Sequence, residues 1–181
     1  MTRHLDARHL NVQALADSEK PLAGSTPLHK MERLAPESVE PGADTVITWQ
    51  LRAESRTGAG GQLELWMHIK ADAVVALTCQ RCMTPVAMPL AADQWFRFVA
   101  SEEVAMAEDD AAQEDLLVMA PQYDALQVIE DELLMALPLV PMHEVCPSLP
   151  AFRAGQIDAL EEPADEKPNP FAVLAKLKKP D

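Results

Sequence analysis

The run Leu63–Ala71, LELWMHIKA, puts an apolar residue at every second position, with polar residues between them except at Trp66. A period of two puts Leu63, Leu65, Met67 and Ile69 on one face and Glu64, Trp66, His68 and Lys70 on the other. This is the pattern of a half-exposed antiparallel strand. A strand with one apolar face needs neighbours beside it and something to cover that face, so the run predicts a sheet with a packed layer. The flanking chain supplies both. In TVITWQLRA, Ile47, Trp49 and Leu51 share a face, and SRTGAGGQ reads as a glycine-containing hairpin loop between the two runs. VVALTC predicts a further strand into Cys79, a Gln80–Arg81 turn follows, and TPVAMPL leaves after Cys82. QWFRFVA predicts another strand, with Phe96 and Phe98 opposite Trp95, Arg97 and Val99.

The covering layer is predicted over Tyr123–Leu137. Asp124 is placed to cap a helix, with Gln127 at the third position, and Leu126, Ile129, Leu133, Leu134 and Leu137 make one apolar stripe. Glu130, Asp131 and Glu132 form an acidic shoulder beside the stripe and are read as facing outward. Pro138 stops the helix and Pro141 keeps the chain extended. With 15 prolines against 6 glycines, connections should be extended and punctuated. The expected architecture is α+β: an antiparallel β-sheet or partly open barrel packed by one principal C-terminal helix. Residues 1–43 are expected to be an irregular N-terminal segment and 44–146 the core domain. Within that core, 101–115 reads as an acidic, mobile connector. Residues 147–181 read as a flexible, disordered tail, with a short basic amphipathic segment at 168–179.

The net charge of −14 is unevenly placed: no Lys or Arg occurs between Arg97 and Arg153, an interval holding twelve Asp and Glu residues. Phosphate neutralisation supplies most nucleic-acid affinity, so this interval should repel RNA. It reads either as a solvated acidic surface or as a docking surface for a basic partner. Apolar runs fall far short of the roughly 20 residues of a membrane span. MTRHLDARHL has no apolar core like that of a signal peptide. A cytoplasmic protein with no membrane partner and no small-molecule substrate is the expectation.

Three cysteines do not make a paired disulfide framework. Cys79 and Cys82 form C-x-x-C between two apolar segments, and His143 and Cys146 form H-x-x-C beyond the helix stop. Together they offer a Cys₃His set for zinc, which would be structural because four protein ligands leave no open position. The same residues also read as small buried thiols beside a loop histidine, or as a redox pair. A thioredoxin-like C-x-x-C should open a helix, whereas this one lies between strands. No P-loop, nucleophile elbow or helical H-E-x-x-H occurs, so no enzyme is expected.

Three blocks, CQRC at 79–82, VIEDELLMALPLVPMHEVC at 128–146 and KPNPFAVLAKLKK at 167–179, resemble the YceD family of bacterial proteins. The resemblance spans roughly 40–179. It implies a small cytoplasmic factor needed for synthesis, processing or stability of 23S ribosomal RNA, and it brings no catalytic residues. Many relatives carry further paired cysteines after the helix block. This chain has only Cys146 there, with His143 before it, so Cys₃His is the one complete ligand set.

Two classes of mechanism fit. In the first the protein is a non-enzymatic adaptor or chaperone for a basic large-subunit ribosomal protein or assembly factor. Its partner-binding residues would be Glu102, Glu103, Glu108, Asp109, Asp110, Glu130, Asp131 and Glu132. Asn169, Pro170, Phe171, Leu174 and Leu177 of the tail would join them as a recognition element. In the second it binds 23S RNA directly. Trp66, His68, Lys70 and Arg81 would form the sheet-face contact, and Lys176, Lys178 and Lys179 the basic tail contact.

Overall fold

The computed structural model describes residues 5–39, 45–58 and 60–147. The alternating run extends further than expected, into a single strand β3 (Leu63–Thr78) that absorbs VVALT and ends just before Cys79. Ala71, Ala73, Val75 and Leu77 keep the period of two and stay buried. TPVAMPL and QWFRFVA likewise fuse into β4 (Pro85–Val99), with Pro89 opposite Val74. That proline is tolerated because the next strand covers only Phe96–Val99, leaving Pro89 on an open edge. β2 (Val46–Thr57) joins β3 through the glycine-containing loop, where the Gly58 N–H donates to the Gln62 carbonyl at 2.8 Å.

The expectation of an irregular segment over 1–43 is corrected for its described residues. They form α1 (Val12–Ser18), β1 (Leu22–Pro27) and single 3₁₀ turns at Ala7–His9, Leu28–Lys30 and Ala35–Glu37. Asn11 caps α1 by accepting the Ala14 N–H at 2.8 Å, and α1 packs buried Val12 and Leu15 toward β2 and β3. The prolines fall where chain ends tolerate them: Pro27 closes β1 and Pro36 lies in the first turn of its 3₁₀ helix.

Glycine is required once in this layer. Gly24 pairs with Trp49 across β1 and β2, and a Cβ added at Gly24 would lie 2.5 Å from Trp49 Cζ2. The indole cannot swing away freely, because its N–H donates to Thr26 Oγ1 at 3.0 Å. Gly24→Ala is therefore expected to destabilise the protein by about 1–3 kcal/mol through overpacking. Chemical denaturation checks it; a variant as stable as the parent would show that Trp49 moves without cost.

The acidic connector is also ordered. Glu102–Glu108 form α2, capped by Ser101 Oγ accepting the Val104 N–H at 3.4 Å. Glu102 and Glu103 occupy its first turn, where the helix dipole favours carboxylates. α2 is the crossover from β4 to β5 (Asp115–Val118), and β5 pairs parallel to β4. The sheet is open, in the order β1-β2-β3-β4-β5, antiparallel except for its last pair. The α+β class holds.

α3 (Ala125–Met135) begins at the expected cap: Asp124 accepts the N–H groups of Leu126 and Gln127 at 3.0 and 3.3 Å. Leu126, Ile129 and Leu133 are buried in the core, with Leu134 and Leu137 packed at its margin. Two backbone bonds of 2.9 Å between Leu10 and Tyr123 fasten the N-terminal segment to the start of α3. Among the described residues no helix is long and apolar enough to cross a membrane. The predicted tail lies outside the described residues from 148 onward.

Candidate metal centre

The hairpin between β3 and β4 is a tight knuckle. The Cys79 N–H donates to Thr84 O and the Met83 N–H to Cys79 O, both at 2.9 Å. Met83 adopts φ 60°, a left-handed conformation that a non-glycine residue holds only when its surroundings enforce it. The turn brings Cys79 and Cys82 to one side. The second half-site comes from the chain after α3, which Pro138 and Pro141 keep from continuing as helix. One backbone bond joins the halves: the Gln80 N–H donates to the Pro141 carbonyl at 2.9 Å. Arg81 reinforces it, with Nη2 at 3.8 Å from Met142 Sδ.

The result is a convergent set. Cys79 Sγ is 3.9 Å from Cys146 Sγ, and Cys82 Sγ is 3.5 Å from His143 Nδ1. All four ligating atoms lie within 4.8 Å of one another. A tetrahedron with Zn–S near 2.3 Å has S···S edges of about 3.8 Å, and slightly shorter S···N edges, so these separations suit zinc. All three cysteines are free thiols. The redox reading loses its structural context as well, since C-x-x-C occupies a hairpin knuckle rather than the start of a helix.

The electrostatics are those of a ligand cage. Burial alone would raise the Cys79 thiol. Backbone N–H groups of Cys82, His143 and Arg81 outweigh it and bring the thiol down to about 5. The Thr84 hydroxyl, 3.1 Å from Cys82 Sγ, is the main cause of that thiol's lowered pKa. Cys146 is pushed up to about 11, first by burial and then by the neighbouring sulfurs. His143 is raised chiefly by Cys79. N–H groups aimed at a sulfur and a hydroxyl beside another are the outer contacts that orient metal ligands.

The other predicted residues divide. Trp66, His68 and Lys70 do share one outward sheet face, and two residues that sequence reasoning missed complete it. The Arg56 guanidinium lies 4.4 Å from the Trp66 ring centre and 4.0 Å from that of Trp95, and His68 stacks on Trp95 at 4.6 Å. Register is the missing signal, since only pairing shows that His68 faces Trp95. Asp93 accepts from both His68, at 2.6 Å, and Lys70, at 2.9 Å. Arg81 belongs to the knuckle.

Among the acids, Glu102, Glu103, Asp109 and Asp110 are exposed. Glu108 is not free for a partner: with Glu114 it grips Arg97, at 2.8 and 2.5 Å. The acidic shoulder of α3 also needs correction. Glu130 is buried at 6% exposure, where it accepts backbone N–H groups from Arg33 and Leu34. Asp131 pairs with Arg33, while Glu132 is half-buried without a cation among the described residues. Asn169, Pro170, Phe171, Leu174, Lys176, Leu177, Lys178 and Lys179 lie outside the described residues.

The family model described as "Large ribosomal RNA subunit accumulation protein YceD" matches residues 67–178, which include all four candidate ligands. A Haemophilus influenzae protein of the same description is 30% identical over 171 residues, 93% of this chain and 95% of that protein. No solved structure matches.

Proposed function

The chain belongs to the YceD family, and on that premise we propose that it supports accumulation of 23S ribosomal RNA in the cytoplasm as a non-enzymatic adaptor. Its partner would be a basic large-subunit ribosomal protein or assembly factor, with zinc held by Cys79, Cys82, His143 and Cys146 as a structural brace. The observation that carries the adaptor reading is the cation-free interval between Arg97 and Arg153. It builds α2, β5 and α3, and leaves Glu102, Glu103, Asp109 and Asp110 exposed. Such a surface attracts a basic protein and repels phosphates. The zinc supports the fold by tying the chain after α3 to the β3–β4 knuckle.

Direct RNA binding is the second reading, favoured by the Trp66–Arg56–Trp95–His68 stack on the outward sheet face. A crosslinking pulldown from growing cells separates the two. With wild-type protein it should recover a basic large-subunit protein. Changing Glu102, Glu103, Asp109 and Asp110 to amides should reduce recovery several-fold, as lost steering and rim contacts would. Glu108 is left intact because it holds Arg97. Recovery of RNA instead, reduced by Trp95→Ala and unaffected by the amide changes, would transfer the function to the sheet face.

A further inference from the structure

We propose that the groove between α3 and the β4–β5 edge is the seat for a short basic segment of a partner protein, with one bulky apolar side chain resting on its floor. This rests on the adaptor reading and names its docking site. The groove has a volume of about 390 Å³, room for one or two side chains. Its floor is apolar: Phe96, Leu117, Tyr123 and Val128, with Met135 at the mouth, 73% exposed.

The rim decides the occupant. Asp115, Asp124, Asp131 and Glu132 all line it. Two of these are already engaged, Asp124 with Arg8 and Asp131 with Arg33, by cations from the N-terminal segment. Among the described residues, Asp115 has only the Gln94 amide at 3.2 Å, and Glu132 has no hydrogen-bond or ion-pair partner. The Glu132 carboxyl is held above its ordinary range, first by burial and then by Asp115 and Asp131. A half-buried carboxylate repelled by its neighbours is relieved by a cation, and an apolar floor beside it favours a side chain over a free ion. Tyr123 offers a hydroxyl with no protein partner among the described residues, suited to a backbone carbonyl of the guest. Phosphates would meet four carboxylates and no lining cation here.

The test uses the full chain and an array of labelled fifteen-residue peptides tiling the large-subunit ribosomal proteins of the same organism. Peptides combining Lys or Arg with a bulky apolar residue should bind, and salt should weaken them. Glu132→Lys should lower affinity by about tenfold or more, with Glu132→Gln intermediate, as expected for losing a charge-assisted contact. Glu37→Lys, the same charge change at an exposed residue outside the acidic interval, should leave it nearly unchanged. Equal losses in Glu132→Lys and Glu37→Lys would reduce the effect to net charge and overturn the groove. So would an array without binders. If 23S levels in a deletion strain are restored by wild-type protein while no peptide binds, the groove falls and the cellular role stands. If wild-type protein leaves those levels unchanged, the cellular role itself falls.

Discussion

Replacing Cys79 with serine is expected to remove stoichiometric zinc from the protein and to lower its melting temperature by about 10 °C. Cys79 is the fully buried ligand and the sulfur that receives the most backbone N–H groups, so no neighbour can substitute for it. The fall is bounded by the rest of the fold. Small zinc domains owe their folding to the metal, but this chain also has an extensive hydrophobic core that includes Leu10, Leu51, Met67, Ile69, Ile129 and Leu133. The Gln80–Pro141 backbone bond also survives the substitution. Loss should therefore be of the order of 3 kcal/mol and concentrated in 138–147, where protease should cut first around fully exposed Leu139. The sign with pH follows from the ligands. Cys146, near 11, holds a proton that zinc must displace at neutral pH, and His143, raised chiefly by Cys79, adds to the proton competition as pH falls. Zinc affinity should fall as pH drops, and binding heats should depend on the buffer's ionisation enthalpy. Elemental analysis on untagged, reduced protein is decisive: about one zinc per wild-type chain is expected, and less than about 0.1 would end the zinc reading.

The candidate ligand set was legible because ligand spacing is local. C-x-x-C and H-x-x-C each state half a site, and Pro138 with Pro141 marks where the second half must leave the helix. That the halves meet was not legible, for it depends on one backbone bond between residues 80 and 141. Strand lengths failed for a similar reason. Pro85 and Pro89 argue against a long strand until the sheet order reveals that β4 is an edge there. β1 reads as a loop because LAGSTP has little intrinsic strand preference, and its pairing with β2 decides its conformation. The acids of α3 show the limit most clearly. Three consecutive carboxylates look equivalent in sequence, yet they take three environments: Glu130 buried, Asp131 ion-paired and Glu132 facing a groove. The partners that distinguish the first two lie almost a hundred residues earlier in the chain.

Glu130→Ala should be among the most damaging single substitutions outside the candidate metal centre, costing about 3–4 kcal/mol. The same carboxylate oxygen accepts the Arg33 N–H at 2.7 Å and the Leu34 N–H at 2.9 Å. Alanine would strand both donors beneath α3, and each buried, unsatisfied N–H costs about 1–3 kcal/mol. The Arg33 guanidinium contributes less. Its side chain is half exposed, it sits 3.5 Å from the other Glu130 oxygen, and Asp131 holds it independently. Comparing three variants by denaturant unfolding therefore separates the causes. Glu130→Gln retains an oxygen that can accept both N–H groups and should lose only about 1 kcal/mol, and Arg33→Ala should lose less than about 1 kcal/mol. If glutamine costs as much as alanine, the negative charge rather than the backbone bonds fastens the 31–37 turn to α3. If all three are silent, that turn is held by buried Met31 and Leu34 alone. The expected order, alanine far above glutamine and arginine removal, would make Glu130 an internal backbone cap for the N-terminal segment and exclude it from any partner surface.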